Sequence, residues 1–309
     1  MKKLFVAIAA LAIAVMASAQ DFNAAIDVFN AGATALEGGN KAEALAQFRS
    51  ALTQFEACEG DEAAEMIGKC KDIIPNTLLS IAKEEINEAN YDKAVTSLAE
   101  VQTVAKEYGK EEIAADAAAL VPNVYLRKGS TLLKEKNFAG AAEALAKVVE
   151  INPEDGQSFL LLGQAQMQSG NLPAATESLE KAAALGKADQ ANKLLSNAYL
   201  KQGQALLKAG KNAEAIAALE KSNTYGESAN AYKLIASAYT KSGKSAQAIE
   251  TYKKYLEVSP NAKDAEDIIF TIAATAQKAG DKATAKDYYK KLTGSAKYAA
   301  QAEAQLKTL

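Results

Sequence analysis

The sequence predicts an all-α chain, a solenoid of about seven helix–turn–helix repeats with a capping helix at its C-terminal end. Three observations predict it. First, Ser228 to Pro260, SANAYKLIASAYTKSGKSAQAIETYKKYLEVSP, reads as one helical hairpin. Tyr232, Ile235, Ala236 and Tyr239 fall at i, i+3, i+4 and i+7 on one helix face, and after a Lys-Ser-Gly-Lys break Ala248, Tyr252 and Tyr255 recur at i, i+4 and i+7. Pro260 ends the unit, because its ring lacks an N–H and disfavours helix in the residue before it. Second, glycine returns in register. Gly39, Gly170, Gly210, Gly243 and Gly280 stand at the break, and Gly32, Gly129, Gly163 and Gly203 stand at the repeat position seven residues earlier. Third, Ala is abundant, Trp and His are absent and only 5 Pro occur, which suits close helix–helix packing rather than sheet.

The elements follow in order. Residues 1–19 read as a signal peptide: Lys2 and Lys3 form a positive start, Leu4 to Met16 an apolar core, and Ala17-Ser18-Ala19 a small-x-small cleavage site. That core is too short to span a bilayer, which needs about 20 apolar residues. The expected mature chain is residues 20–309, one helical repeat domain, exported and periplasmic or extracellular. Its first repeat starts near residue 25, with Val28, Ala31, Gly32 and Ala35 inward, then Ala44, Phe48 and Ala51 on the second helix. Repeats two and three start near 75 and 122, each at a Pro-Asn pair, with Leu78, Ile81 and Ala82, and Tyr125 and Gly129, as their opening faces. The preceding segments DEAAEMIGKCKDII and EEIAADAAALV are helical in pattern, either as extra short helices or as long first helices kinked at Pro. Repeats four to seven start near 156, 196, 229 and 266. SAKYAAQAEAQLKTL supplies the capping helix, about 295–308, that an open-ended array needs.

The hairpin length and the two glycine positions resemble the tetratricopeptide repeat, a helical hairpin of roughly 34 residues. Starts here are spaced about 50, 47, 34, 40, 33 and 37 residues apart, and Tyr or Phe often stands where the family has Trp at the fourth position. The resemblance implies a right-handed superhelix with a concave groove lined by the first helix of each pair, mainly through repeat positions two, five, nine and twelve. Carried over, the rows are Asn76, Asn123, Gln157, Asn197 and Asn230; Leu79, Leu126, Leu160, Leu200 and Lys233; and Lys83, Ser130, Gln164, Gln204 and Ser237. Amides there can pair with the N–H and C=O of an extended peptide while Leu accepts its side chains. The other reading of the Asn row is that Asn caps the start of each first helix. The family's two-carboxylate clamp is not reproduced by Lys83 and Lys233 alone.

Charge and motifs narrow the class. With 35 Lys and Arg against 38 Asp and Glu the net charge is −3, and the pI is near 5.4. No basic footprint for nucleic acid is present. Cys58 and Cys70 are the only cysteines. Export would place them in an oxidising compartment, where a disulfide closing that short loop is worth about 3 kcal/mol; two free buried thiols are the alternative. With no His and two Cys, no metal or cofactor is expected. Ser80-x-x-Lys83 and Ser178-x-x-Lys181 match a serine–lysine pairing by two letters only, inside repeat helices and without its companion motifs. No phosphate loop occurs, and a charge-relay nucleophile needs a His. The sequence therefore predicts a non-catalytic scaffold of the cell envelope that binds a protein or peptide in its groove, or a self-associating subunit of an envelope assembly.

Overall fold

The computed structural model describes residues 21–309; the leader expected over residues 1–19 lies outside the described residues. All regular elements among the described residues are helices. α1 covers 21–37, followed by α2 (Lys41–Glu56), α3 (Asp61–Asn87), α4 (Tyr91–Glu107), α5 (Glu111–Lys134) and α6 (Phe138–Ile151). Then come α7 (Gly156–Gln168), α8 (Leu172–Ala182), α9 (Ala188–Lys208), α10 (Asn212–Tyr225), α11 (Ala229–Lys241), α12 (Ser245–Val258), α13 (Ala265–Lys278), α14 (Lys282–Lys290) and α15 (Ala299–Leu306). Odd-numbered helices are the first members of seven hairpins, and α15 follows the seventh. The chain divides into two compact units, one ending at Pro153 and the other beginning at Glu154. Within each, consecutive helices pack on one another, and first helices also touch, α3 on α5, α7 on α9 and α9 on α11. Each unit is an all-α array of stacked helical hairpins, the arrangement the repeat pattern predicts.

Why the hairpins turn where they do is set by one backbone position. Gly39, Gly170, Gly210, Gly243 and Gly280 all hold φ between +71° and +87°. At this left-handed residue the chain leaves the first helix, and the next N–H reaches back five residues, as Asn40 N does to Ala35 O at 2.8 Å. In repeats two and three the same position is Ala89 (φ +61°) and Lys136 (φ +62°). An L-residue there costs roughly 1–2 kcal/mol, offset in part by the greater freedom glycine has when unfolded. Ala89→Gly and Lys136→Gly are each expected to raise the stability of the first unit by about 0.5–1 kcal/mol, read as a higher urea midpoint with unchanged slope. A fall would mean that these side chains make contacts worth more than the strain.

Second helices then start on capping side chains. Asn40, Asn137, Asn171 and Asp281 accept the N–H of the residue three further on, at 3.3, 3.1, 3.2 and 3.0 Å. The segments ahead of Pro75 and Pro122 are not separate helices. They are the opening turns of α3 and α5, which continue through both prolines. Cys70, Ile74, Leu78 and Ala82 form one fully buried stripe across Pro75, and this shared packing outweighs the missing backbone bond. α9 also starts early, at Ala188 rather than near 196, after a short π-type segment, Ala183–Lys187, in which Gly186 turns the chain.

Each unit has its own apolar interior. In the first, Phe48, Phe55, Ile74, Leu98 and Val101 are fully buried and cluster across α1 to α5. In the second, Leu179 and Leu195 fill the α7–α10 layers, Leu219 and Ile235 the α10–α11 layer, and Ile272, Tyr289 and Leu292 the C-terminal layers. The fastening between repeats differs in chemistry. The first unit uses exposed ion pairs, Lys41 with Glu84, Arg49 with Glu100 and Lys128 with Asp92, each worth little alone. The second also has ion pairs, Lys233 with Asp264 and Lys297 with Asp267, and adds phenol hydroxyls: Tyr225 donates to Glu180, Tyr255 to Asp264, and Tyr298 to Asp267 at 3.0 Å, while the Tyr199 and Thr176 hydroxyls are hydrogen-bonded at 2.9 Å.

Candidate functional site

Asn76, Asn123 and Asn197 stand in helix interiors, and none of the five amide-row residues occupies the capping position of its helix. Asn76 and Asn123 lie well inside α3 and α5, Asn197 inside α9, Gln157 and Asn230 one residue into α7 and α11. All five are exposed. The residues preceding their helices are Gly60, Lys110, Asp155, Lys187 and Ser228, and of these only Asp155 caps with its side chain. The capping reading of the Asn row is thereby overturned. The physical reason is that α3, α5 and α9 begin many residues upstream, so the Pro-Asn pairs and Asn197 never meet a helix terminus. Asn76 spends its Nδ2 locally, donating to Asp72 O at 2.8 Å.

The apolar row divides. Leu126 and Leu200 are half-buried and available at the surface, whereas Leu79 and Leu160 are only 6% and 7% exposed. The expectation that all four accept partner side chains is corrected for these two. Leu79 shares a cluster with Ala117 and Val124 of α5, and Leu160 one with Ala191 and Leu195 of α9; the extra opening turns of α5 and α9 supply that cover. Lys233 is also committed: it pairs with Asp264, whose carboxyl is held below the usual carboxylate range by hydrogen bonds from Lys233 and Tyr255. In the third row Lys83 and Gln164 are exposed, and Ser130, Gln204 and Ser237 half-buried.

Two parts of these rows border clefts. In the first unit Lys83 and Asn123 line a cleft of about 290 Å³ together with Ile86, Asn87, Leu120 and Arg127. It carries two cations, two amides and two apolar side chains, and neither Lys83 nor Arg127 is in an ion pair among the described residues. In the second unit Asn197 and Leu200 line a cleft of about 450 Å³ with Asp189, Lys193, Tyr225 and Glu227. Asn87, Arg127, Tyr225 and Glu227 escaped the sequence reading. Two were within its reach: Asn87 lies four residues after Lys83 and Arg127 four after Asn123, one turn along the same helix face.

The cysteines do not pair. Cys58 and Cys70 are free thiols, the first donating to Gln54 O at 3.3 Å and the second fully buried in α3. Burial, with Glu56 nearby, pushes the Cys70 thiol up to about 11, so it is a packing residue. Among the described residues no group of His, Cys, Asp and Glu is arranged to hold a metal, and no helix is long and apolar enough to cross a membrane.

Residues 132–191 and 200–265 each match a tetratricopeptide-repeat family model. No curated protein matches the chain. Solved structures similar to parts of it include MamA, 25% identical over 59% of this chain and 96% of that one, with a TM-score of 0.33. Pseudomonas aeruginosa PilF is 20% identical over 60% and 90%, with a TM-score of 0.28. YrrB, described as a TPR protein with an unusual peptide-binding site, is 15% identical over 60% and 91%, with a TM-score of 0.31.

Proposed function

We propose that this tetratricopeptide-repeat protein, whose repeats are protein–protein interaction modules, holds an extended segment of another protein along the exposed faces of its first helices. The observation that carries the reading is the amide row: five side chains at one repeat position, exposed and excluded from the capping role that would otherwise account for Asn there. Within each unit, amides repeated on successive first helices suit an extended chain, whose N–H and C=O groups can pair with them. Around Lys83, Asn87, Asn123 and Arg127 the two uncompensated cations favour a segment that carries carboxylates. Tetratricopeptide repeats generally work without catalysis, so the protein acts as a scaffold and not as an enzyme. The envelope setting rests on the leader-like residues 1–19, as does export.

Site-specific photo-crosslinking in cells tests this. A photoreactive residue in place of Asn123 or Asn197 is expected to give adducts with a second protein. The same residue in place of Glu143 or Glu177, exposed on the second helices α6 and α8, is expected to give none. Adducts from the second helices alone would sink the groove reading. Adducts of the chain with itself would move the self-associating envelope subunit to the front.

A further inference from the structure

Asn197 borders two clefts of the second unit at once, and they differ in chemistry. On one side, a cleft of about 400 Å³ is lined mainly by Met167, Leu172, Leu194 and Ala198, together with Gln168 and Lys201. On the other, the cleft of about 450 Å³ holds the carboxylates of Asp189 and Glu227 against the single ammonium of Lys193. Neither carboxylate is in an ion pair among the described residues; Glu227 accepts only the Tyr232 hydroxyl at 2.9 Å. Lys201 on the apolar side repels a cation, while Asp189 and Glu227 on the other side attract one. The polarity across Asn197 is therefore fixed by α9 itself, which supplies Asp189, Lys193, Leu194, Asn197 and Lys201.

We infer that the second unit selects an extended peptide carrying an apolar side chain and a basic side chain close together, one seated in each cleft, with the backbone between them paired to the Asn197 amide. In an extended chain, residues two apart point the same way, so both side chains can enter the same surface. This rests on the groove reading above and adds to it the chemistry of the bound segment. A flexible Arg or Lys on the peptide keeps its stem along Leu200 and Tyr225 while its charge meets the carboxylates.

The test uses the full chain and a labelled extended peptide with one Leu and one Arg two residues apart in a Ser/Asn background, followed by fluorescence anisotropy. The Leu/Arg peptide is expected to bind about threefold to tenfold more tightly than the same peptide with Glu for Arg, a range set by one partly shielded charge pair. The gap is expected to close in the Asp189→Asn, Glu227→Gln chain, whose two changes are exposed and leave the fold intact. A peptide with Ser for Leu should lose affinity on both chains. If all peptides bind alike yet depend on Asn197, shown by Asn197→Ala, the groove reading stands and this inference falls. If no peptide binds the native chain, this inference falls, while the groove reading is decided by the crosslinking from Asn123 and Asn197.

Discussion

Replacing Phe48 by Ala is expected to remove about 3–5 kcal/mol from the first unit, the range for truncating a buried aromatic side chain. The ring is fully buried, packs 5.3 Å from Phe29 at a tilted angle and sits against Gly32. Because its cluster is built from α1 to α5, the loss should be local to residues before Pro153. Domains of ordinary stability hold about 5–15 kcal/mol in total, so much of the first unit's margin would go. Hydrogen exchange resolved by peptide is the measurement. Protection should collapse in α2 and α3 while α9 to α13 keep theirs. An equal loss along the whole chain would show that the two units melt as one, contrary to the division of their interiors.

Gly203→Ala is expected to destabilise the second unit by about 1–3 kcal/mol, the usual cost of forcing atoms into a filled core. A methyl group there would lie 2.5 Å from Leu219 Cγ and 3.3 Å from the Ala215 carbonyl oxygen. Leu219 is itself fully buried and has nowhere to swing. Gly163 against Leu179 repeats the arrangement at 2.5 Å, so Gly163→Ala should behave alike. In a unit of this size each kcal/mol lowers the melting temperature by roughly 2–4 °C. Pairing Gly203→Ala with Leu219→Ala should cost less than the two changes added together, because the new methyl group fills part of the space the leucine leaves. Gly68→Ala is the control: nothing lies within 4 Å of a methyl group at that helical position, and the change should stabilise by about 0.5–1 kcal/mol. If Gly203→Ala proved as harmless as Gly68→Ala, the helices α9 and α10 would not be as close as they stand here.

These glycines also explain how much could be read in the sequence. Turn glycines answer to a left-handed backbone and close-approach glycines to a tightly packed facing helix, so six of the seven hairpins carry a glycine in register, and the second has Ala82 and Ala89 at those positions. Ala89 and Lys136 show the limit, since a strained turn without glycine leaves no mark. Helix beginnings were harder. Pro75 and Pro122 read as starts because proline opposes helix locally, yet the buried stripe from Cys70 to Ala82 carries α3 through. The sequence left two readings of the segments ahead of Pro75 and Pro122, and the long continuous helix is the one the structure has; it keeps Asn76 away from a helix terminus, and the early start of α5 covers Leu79. Cleft membership was legible only in part. Lys83 and Asn123 came from the repeat position, but Tyr225 and Glu227 reach the Asn197 cleft from the end of α10 and the turn after it, a placement that only tertiary packing produces.

The phenol fastenings of the second unit have an optical consequence. The chain has no Trp, and nine of its 12 Tyr lie beyond Pro153. Ultraviolet emission therefore reports mostly on the second unit, and there dimly where a carboxylate beside a phenol drains its excited state. Unfolding of residues 154–309 should brighten that signal as Tyr225 and Tyr255 leave Glu180 and Asp264, whereas unfolding of the earlier residues changes only the contribution of Tyr91, Tyr108 and Tyr125. The same partners delay alkaline ionisation: burial and Asp264 push the Tyr255 phenol up to about 12, so in the folded chain its phenolate forms only at strongly alkaline pH.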